Sequence, residues 1–331
     1  MQLYEDISIV VQGPNYNEDG NTSAQVLRSY RKFFPNAEII FSSWEGAIDA
    51  KAPFLKELNI VLVLSKDPGP DNAGSVTFNV NRQIVSSLAG IKKATRTYLL
   101  KTRSDAILRH NLFLHYYRCH VEARPRGCVF SQPVMIYALS TRNWTKGLIP
   151  HLFHPCDWIF MGRREDILDL FDIPLMGKED LHYFQNRRQP RTPSFSGWSR
   201  YTPEQWIFVS FLVKKGVLTY DAFPHYCYHD KKTLALNEKL FTEDLLVLDN
   251  DQIGVYSWKY PFPHCRDIQI SQLRHAEWVE LCHQSHMPFA KAPWLYRKMW
   301  LSLAWLNAML GLAIYYVRTS KLRAAIREAI R

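Results

Sequence analysis

Thr97-Tyr98-Leu99-Leu100-Lys101-Thr102-Arg103-Ser104-Asp105-Ala106-Ile107-Leu108 is the stretch on which the reading of this chain turns. Tyr98 to Leu100 form the apolar run of a buried β-strand. The sequence then switches to Lys, Arg and Asp before a second apolar run opens at Ala106. The switch predicts fixed charge at the carboxyl edge of a sheet, which is where open α/β sheets bind ligands. Arg and Lys suit a diphosphate, and Asp suits a divalent metal or a ribose hydroxyl. A strand followed by a solvated turn would show the same residues, so the flanking sequence has to decide.

Upstream, Ile7-Ser8-Ile9-Val10-Val11 ends at Gln12-Gly13-Pro14, a strand and its turn. Thr22 or Ser23 can cap a helix with Val26, Leu27, Tyr30 and Phe33 at helical spacing, stopped near Pro35. Glu38-Ile39-Ile40-Phe41-Ser42 and Ile60-Val61-Leu62-Val63-Leu64 are two further strands. A helix over residues 79–93, with Val80, Ile84, Leu88 and Ile91 on one face, leads into the central strand. Strands alternating with helices predict a parallel, Rossmann-like sheet with crossover helices. Downstream the pattern predicts a helix over 112–122, a strand over 128–132, a strand at Trp158-Ile159-Phe160 and a helix over Arg164–Phe171. Residues 178–200, rich in Arg, Gln, Pro and Ser, read as a long mobile loop of the kind that closes over substrates. Thr202-Pro203 opens a helix apolar on most sides, and therefore buried. Beyond Asp230 the alternation fades, with strand character only near Leu245–Leu248.

With 331 residues the chain can bury a large core, and 47% hydrophobic content places it among ordinary globular proteins. Its net charge of +10 is uneven: residues 291–331 carry eight Lys/Arg against one acid, which leaves only +3 for the rest. The body is therefore not a strongly basic nucleic-acid binder. Six cysteines without CxxC spacing, and no signal-peptide pattern after Met1, predict reduced, mostly buried thiols of a cytosolic protein.

Three further groups could carry chemistry. Glu204 stands in the first turn of a buried helix, where the helix dipole alone would favour it, or where it could act as a general base. Phe223-Pro224-His225-Tyr226-Cys227-Tyr228-His229-Asp230 places two His four apart in an aromatic loop, as metal or phosphate ligands or as neither. His154 and Asp157 precede Trp158, and the carboxylate there could grip a hydroxylated acceptor or cap a turn.

Ile9-Val10-Val11-Gln12-Gly13-Pro14, and Phe34-Pro35-Asn36-Ala37-Glu38-Ile39-Ile40 through Ser43-Trp44-Glu45-Gly46, resemble the WavE-type lipopolysaccharide-synthesis family. Asn81-Arg82-Gln83-Ile84, Lys101-Thr102-Arg103-Ser104-Asp105 and Pro203-Glu204-Gln205 follow in that family's order. The resemblance covers roughly residues 7 to 230. It implies a GT-A-like glycosyltransferase: a Rossmann-type mixed sheet with flanking helices, joining a nucleotide-binding half (1–110) to an acceptor half (111–290). By position it implies Asp105 as the last carboxylate of a DxD motif and Glu204 as base of an inverting transfer; with these, donor binding is expected at Gln12, Gly13, Arg82, Lys101, Arg103 and Asp105, and acceptor binding at Asp157 and Trp158. It also implies a divalent metal, Mn²⁺ or Mg²⁺, on Asp105 with His225 or His229. The sequence departs from the family's DxD motif at one point, where Arg103 stands in place of the first Asp. Lys101 and Arg103 could instead neutralise the diphosphate directly.

The expected function is transfer of a sugar from a nucleotide sugar, a UDP-sugar first, to a growing lipopolysaccharide or other surface-polysaccharide acceptor carried on a lipid. A sugar nucleotidyltransferase would share the α/β half but release pyrophosphate. A non-catalytic glycan-binding protein would explain the Trp and Tyr content but not the charged strand end.

The last stretch, residues 291–331, reads as a helical, membrane-associating tail. Residues 299–317 form an uncharged nineteen-mer, with Arg297 and Lys298 before it and Arg318, Lys321, Arg323 and Arg327 after it. Basic residues on both sides argue against a simple span and for a helix lying in the interface of an anionic membrane surface. A core helix is the other reading of the apolar run. The expected location is cytoplasmic, peripheral on the inner face of the cell membrane.

Overall fold

The computed structural model describes residues 6–18, 21–74, 76–124, 126–145, 150–189, 197–259 and 272–284. Its strands include β1 (Ile7–Gln12), β2 (Glu38–Trp44), β3 (Ile60–Ser65), β4 (Tyr98–Arg103), β5 (Ala106–Leu108), β6 (Val134–Tyr137), β7 (Phe160–Arg163), β8 (Leu245–Leu248) and β9 (Val255–Ser257). Seven of these form one sheet in the order β8-β6-β7-β4-β1-β2-β3. β1 pairs in parallel with β2 and β4, β2 with β3, and β6 with β8, whereas β7 runs antiparallel to both of its neighbours. β5 and β9 make a separate antiparallel ribbon. The expected parallel arrangement therefore holds on both sides of one reversed strand, giving a mixed, Rossmann-like α/β sheet.

Every residue of β1 is buried, as expected of a parallel strand with helices on both faces. The covering helices include α1 (Ser23–Phe33), α2 (Val80–Lys93), α3 (Phe113–Ala123), α4 (Arg164–Phe171), α5 (Pro203–Lys214), α6 (Lys231–Glu243) and α7 (His275–Gln284). Thr22 caps α1 reciprocally: Gln25 N donates to Thr22 Oγ1 at 3.1 Å, and Thr22 N donates to Gln25 Oε1 at 3.2 Å. Losing such a cap costs about 1 kcal/mol. α2 lies very close to the sheet, because a Cβ at Gly90 would stand 2.5 Å from Val10 Cγ1 and 3.0 Å from Ser42 Cβ. Glycine at this position sets the spacing of the two layers.

Four expectations are corrected. Residues 128–132 are not a strand; the strand is β6, just beyond Pro133. Here the amides of Val129 and Phe130 donate to Asp244 Oδ1 at 2.8 and 3.1 Å, and those of Ser131 and Gln132 to Asp166 at 2.8 and 3.2 Å. Two carboxylates take the place of a ladder. Residues 178–200 are not an open loop throughout. Lys178–Leu181 is a helical turn, and Arg200 is tied to Pro224 O at 2.8 Å and Tyr220 O at 3.0 Å, while residues 190–196 lie outside the described ones. The region beyond Asp230 returns to the main sheet, since α6 delivers β8 alongside β6. Finally, the thiols are mixed rather than mostly buried: Cys156, Cys227 and Cys282 are buried, Cys119 and Cys128 exposed, and Cys265 lies outside the described residues.

The sheet continues across residue 110, with β6, β7 and β8 on its far side. The tail, 291–331, lies outside the described residues. Among the described residues no helix is long and apolar enough to cross a membrane.

Candidate active site

The chain lays down β1, β2 and β3 in one direction and then returns to place β4 on the other side of β1. At such a reversal the loops leaving adjacent strands diverge and leave a crevice. A cavity of about 190 Å³ opens there. Gln12, Gly13 and Pro14 line it after β1, Arg103, Ser104 and Asp105 after β4, and Asn79, Arg82 and Gln83 at the start of α2; Tyr16, Trp44 and Lys259 complete the wall.

The two strand ends are locked together. Gly13 has φ +130°, and a Cβ there would fall 2.6 Å from Ser104 Oγ, so only glycine lets the loops approach this closely. Ser104 N donates to Gln12 O at 2.9 Å, and Ser104 Oγ to Pro14 O at 2.8 Å. Gln12 Oε1 accepts from Ser86 Oγ at 2.8 Å, which ties β1 to α2.

Arg103 and Asp105 form a bidentate pair. Arg103 Nε and Nη2 donate to Asp105 Oδ1 and Oδ2 at 2.8 and 2.7 Å, and the guanidinium carbon lies 4.4 Å from the Trp158 ring centre. Asp105 is only 1% exposed, so its charge depends on that fork. Arg82 is held similarly, donating to Asp67 at 2.8 and 2.5 Å while lying 5.5 Å from the Trp44 ring centre. Lys259, also lining the cavity, donates from Nζ to Tyr16 Oη at 2.8 Å.

Lys101 is elsewhere. The sequence places it at the charged strand end, but β4 runs on to Arg103 and Lys101 is fully buried inside the sheet. It shares a face of the strand with Arg103, yet β7 lies beside it, with Phe160 as its register partner. Its Nζ donates to Asp157 O at 2.6 Å and lies 5.8 and 5.3 Å from the rings of Phe160 and Phe171. Burial pushes the ammonium down to about 7, against the charge of Asp157 and reinforced by Arg103. Lys101 does not line the pocket, so the donor contact expected of it is not formed here.

Behind Trp158 lies a second group of charges. Thr202 and Gln205 complete the capping box of α5 between themselves, so the cap does not require Glu204. Burial raises the Glu204 carboxyl, against its hydrogen bond to backbone and the nearby Arg142. His154 Nε2 lies 3.7 Å from Glu204 Oε2, but burial and Arg142 keep the imidazole neutral, so this is a polar contact rather than an ion pair. Asp157 is pushed up to about 6 by burial and the charge of Glu204, opposed by Lys101 and Arg103. A carboxylate of that kind can accept a proton near neutral pH. The two groups touch: Gln83, on the pocket wall, donates to Asp157 O at 2.8 Å, and Trp158 underlies Arg103.

The expected metal ligands do not assemble. His225 packs among Phe184, Tyr226 and Tyr228, with Nδ1 3.4 Å from Cys227 Sγ; His229 Nδ1 lies 3.2 Å from Cys227 O. Neither lines the pocket, and among the described residues no three His, Cys, Asp or Glu side chains gather as a metal site. Asp105 offers one carboxylate whose two oxygens both accept from Arg103. These residues do not fit the oxygen cage that Mg²⁺ or Mn²⁺ requires. The sequence reading missed Lys259 and Tyr16, and it had no local signal for either: one precedes the first helix in a polar loop, the other follows a three-residue strand.

Comparison with known proteins gives one strong match and several loose ones. The family model described as WavE lipopolysaccharide synthesis matches residues 7–309. Among solved structures, the chain is similar to glucosyl-3-phosphoglycerate synthase from Mycobacterium tuberculosis. The complex of that enzyme with Mn²⁺, UDP and phosphoglyceric acid shares 10% identity and a TM-score of 0.39, over 86% of this chain and 80% of that one. Its complex with Mn²⁺, UDP-glucose and phosphoglyceric acid gives 10% and 0.39 over 88% and 85%, and that with Mg²⁺ and UDP gives 11% and 0.39 over 86% and 81%. A superposition this loose transfers no ligand and no residue role. No curated protein matches the chain. The family match spans nearly the whole sequence and includes both strand ends that wall the pocket and the helix that carries Glu204: the chain belongs to the WavE lipopolysaccharide synthesis family.

Proposed function

We propose that this protein is a glycosyltransferase that moves a sugar from a nucleotide donor, a UDP-sugar first among candidates, to a lipopolysaccharide or related surface-polysaccharide acceptor. The observation that carries the reading is the juxtaposition at the β1/β4 switch point. A pocket with aromatic and cationic walls meets, through Gln83 and Trp158, two half-buried carboxylates whose pKa desolvation raises. The acceptor hydroxyl oxygen attacks the anomeric carbon, and the bond from that carbon to the diphosphate oxygen breaks with its electron pair leaving on the diphosphate. The acceptor proton passes to a carboxylate. Glu204 is the base in this reading, and Asp157 with Trp158 holds the acceptor; displacement of this kind inverts the anomeric centre. Gln12, Gly13, Arg82, Arg103 and Asp105 shape the donor side. Incubating the full chain with a panel of nucleotide sugars and a truncated glycan acceptor, and identifying the products, tests the reading. Release of nucleoside diphosphate with a glycosylated acceptor supports it. Release of pyrophosphate would show a nucleotidyltransferase, and glycan binding without turnover a lectin-like protein.

The sequence of the tail supports an acceptor presented at an anionic membrane surface on the cytoplasmic side. Each of its cations is worth roughly 1 kcal/mol near such a surface. Reversing Arg318, Lys321, Arg323 and Arg327 to Glu in the full chain is expected to release it from anionic vesicles at low salt without lowering its melting temperature. Unchanged sedimentation with vesicles, or loss of folding, would place the nineteen-mer in the core instead.

A further inference from the structure

The pocket holds three cations and one carboxylate, and the carboxylate is already matched. Asp105 is engaged through both oxygens by Arg103, and Arg82 through two nitrogens by Asp67. Lys259 differs. Its hydrogen-bond partner is a neutral phenol, Tyr16, with Nζ also 4.9 Å from that ring's centre, and Tyr16 is propped edge-on against Trp258 with ring centres 5.8 Å apart. The phenol brings no formal charge to the pair, while Asp105 attracts the ammonium and Arg103 repels it from nearby. The ribbon of β9 and β5 explains its position: Ser257 pairs with Ala106, the residue after Asp105, so Lys259 emerges beside the end of β4.

Resting on the nucleotide-sugar reading, we propose that Lys259 and Arg103 together grip the donor's diphosphate directly, and that this binding needs no divalent metal. As the bond between the anomeric carbon and the diphosphate oxygen breaks, that oxygen takes the electron pair, and a guanidinium and an ammonium meet the charge there. Arg103 holds Asp105 through Nε and Nη2 and so meets the diphosphate with the charge of its guanidinium, and Lys259 meets it as a point charge; both groups are ordinary phosphate partners. A metal would have to compete with Arg103 for both oxygens of Asp105, and no other carboxylate among the described residues lines the cavity.

Calorimetric titration of the full chain with UDP, GDP and CDP, each in EDTA and in Mn²⁺, tests this. At least one diphosphate should bind with affinities within about threefold of each other in the two buffers. Lys259→Gln should weaken it about tenfold, the worth of one charge-assisted hydrogen bond, and leave the matching nucleoside unaffected. Lys259→Arg should restore most of the loss. Lys259 is exposed, so the variants are expected to melt with the parent. Binding seen only with Mn²⁺, or a Lys259→Gln variant with parental affinity, would overturn the inference while leaving the donor reading intact. Absence of any diphosphate binding in either buffer would overturn the donor reading, and the inference with it.

Discussion

Lys101 and Arg103 are two residues apart on one face of one strand, carry the same formal charge, and lie in opposite kinds of surroundings. Arg103 reaches the cavity and holds Asp105 in a fork; Lys101 is sealed under β7 between two phenylalanine rings, with a backbone carbonyl as its hydrogen-bond partner. Around the first, charges are matched in pairs at the edge of solvent. Around the second, a buried Lys101 adjoins the half-buried Asp157, Glu204 and Arg142, and desolvation is the largest influence on each. The lesson is a division of labour. A guanidinium keeps its charge in either place, and so suits a permanent grip on phosphate. A buried ammonium beside half-buried carboxylates is a group whose protons can move near neutral pH.

The sharpest way to break this contrast is at the carboxylates. Glu204→Gln is expected to lower kcat by roughly 10²–10⁴ with donor affinity nearly unchanged, because general-base assistance is lost and the pocket is not. Asp157→Asn should raise the KM for acceptor more than it lowers kcat. If the two phenotypes are exchanged in single-turnover assays, Asp157 is the base. If neither slows turnover, the inner group is structural.

Arg103→Met comes next. It strands a buried carboxylate, which is expected to cost about 3 kcal/mol in a denaturant melt, the low end for a broken pair because the arginine is partly exposed. Arg103→Met combined with Asp105→Asn should recover most of that stability without recovering diphosphate affinity. A double variant as unstable as the single one would mean the fork is not what holds the strand end.

The smallest effect is at Lys101. Its folded pKa near 7 lies below its ordinary 10.5, so between those values the unfolded chain binds more protons than the folded one. Stability of the parent should therefore rise with pH across that window, with the full penalty of the buried charge present below about 7. Lys101→Met has no such proton to lose. The melting temperature of the parent relative to this variant is expected to climb by a few degrees over the window. A flat difference would mean that Lys101 does not titrate there.

These contrasts also show what a linear sequence can disclose. β1, α1, β2, β3 and α2 were legible because periodicity, a Thr-x-x-Gln cap and an all-apolar strand are local signals. So was the place of Arg103 and Asp105 at one strand end, though not their pairing with each other. Lys101 misleads because its neighbours cannot reveal that β7, some sixty residues on, will cover it. His225 and His229 have the spacing of ligands, but the fold turns one into an aromatic cluster and the other onto the carbonyl of Cys227. At residues 128–132 the apolar run is real, but its amides are claimed by Asp166 and Asp244, both distant in sequence. At Lys101 and at residues 128–132 a long-range partner displaces a short-range rule, whereas His229 is held by a neighbour two residues away.

The ribbon that joins β5 to β9 has a consequence for how the molecule comes into being. The lining residues from Gln12 to Asp105 all lie in the first third of the chain, and Lys259 arrives only with the second half. A ribosome that has released the first half of the chain has made most of the sheet but not the clamp. Closure of a loop of about a hundred and fifty residues, slow because so much chain entropy must be given up, is the step that completes it. A chain stopped short of Lys259 therefore lacks one of the two cations of the proposed clamp. A split protein, cut in an exposed loop ahead of α6, should regain ligand capture only when its two pieces are mixed.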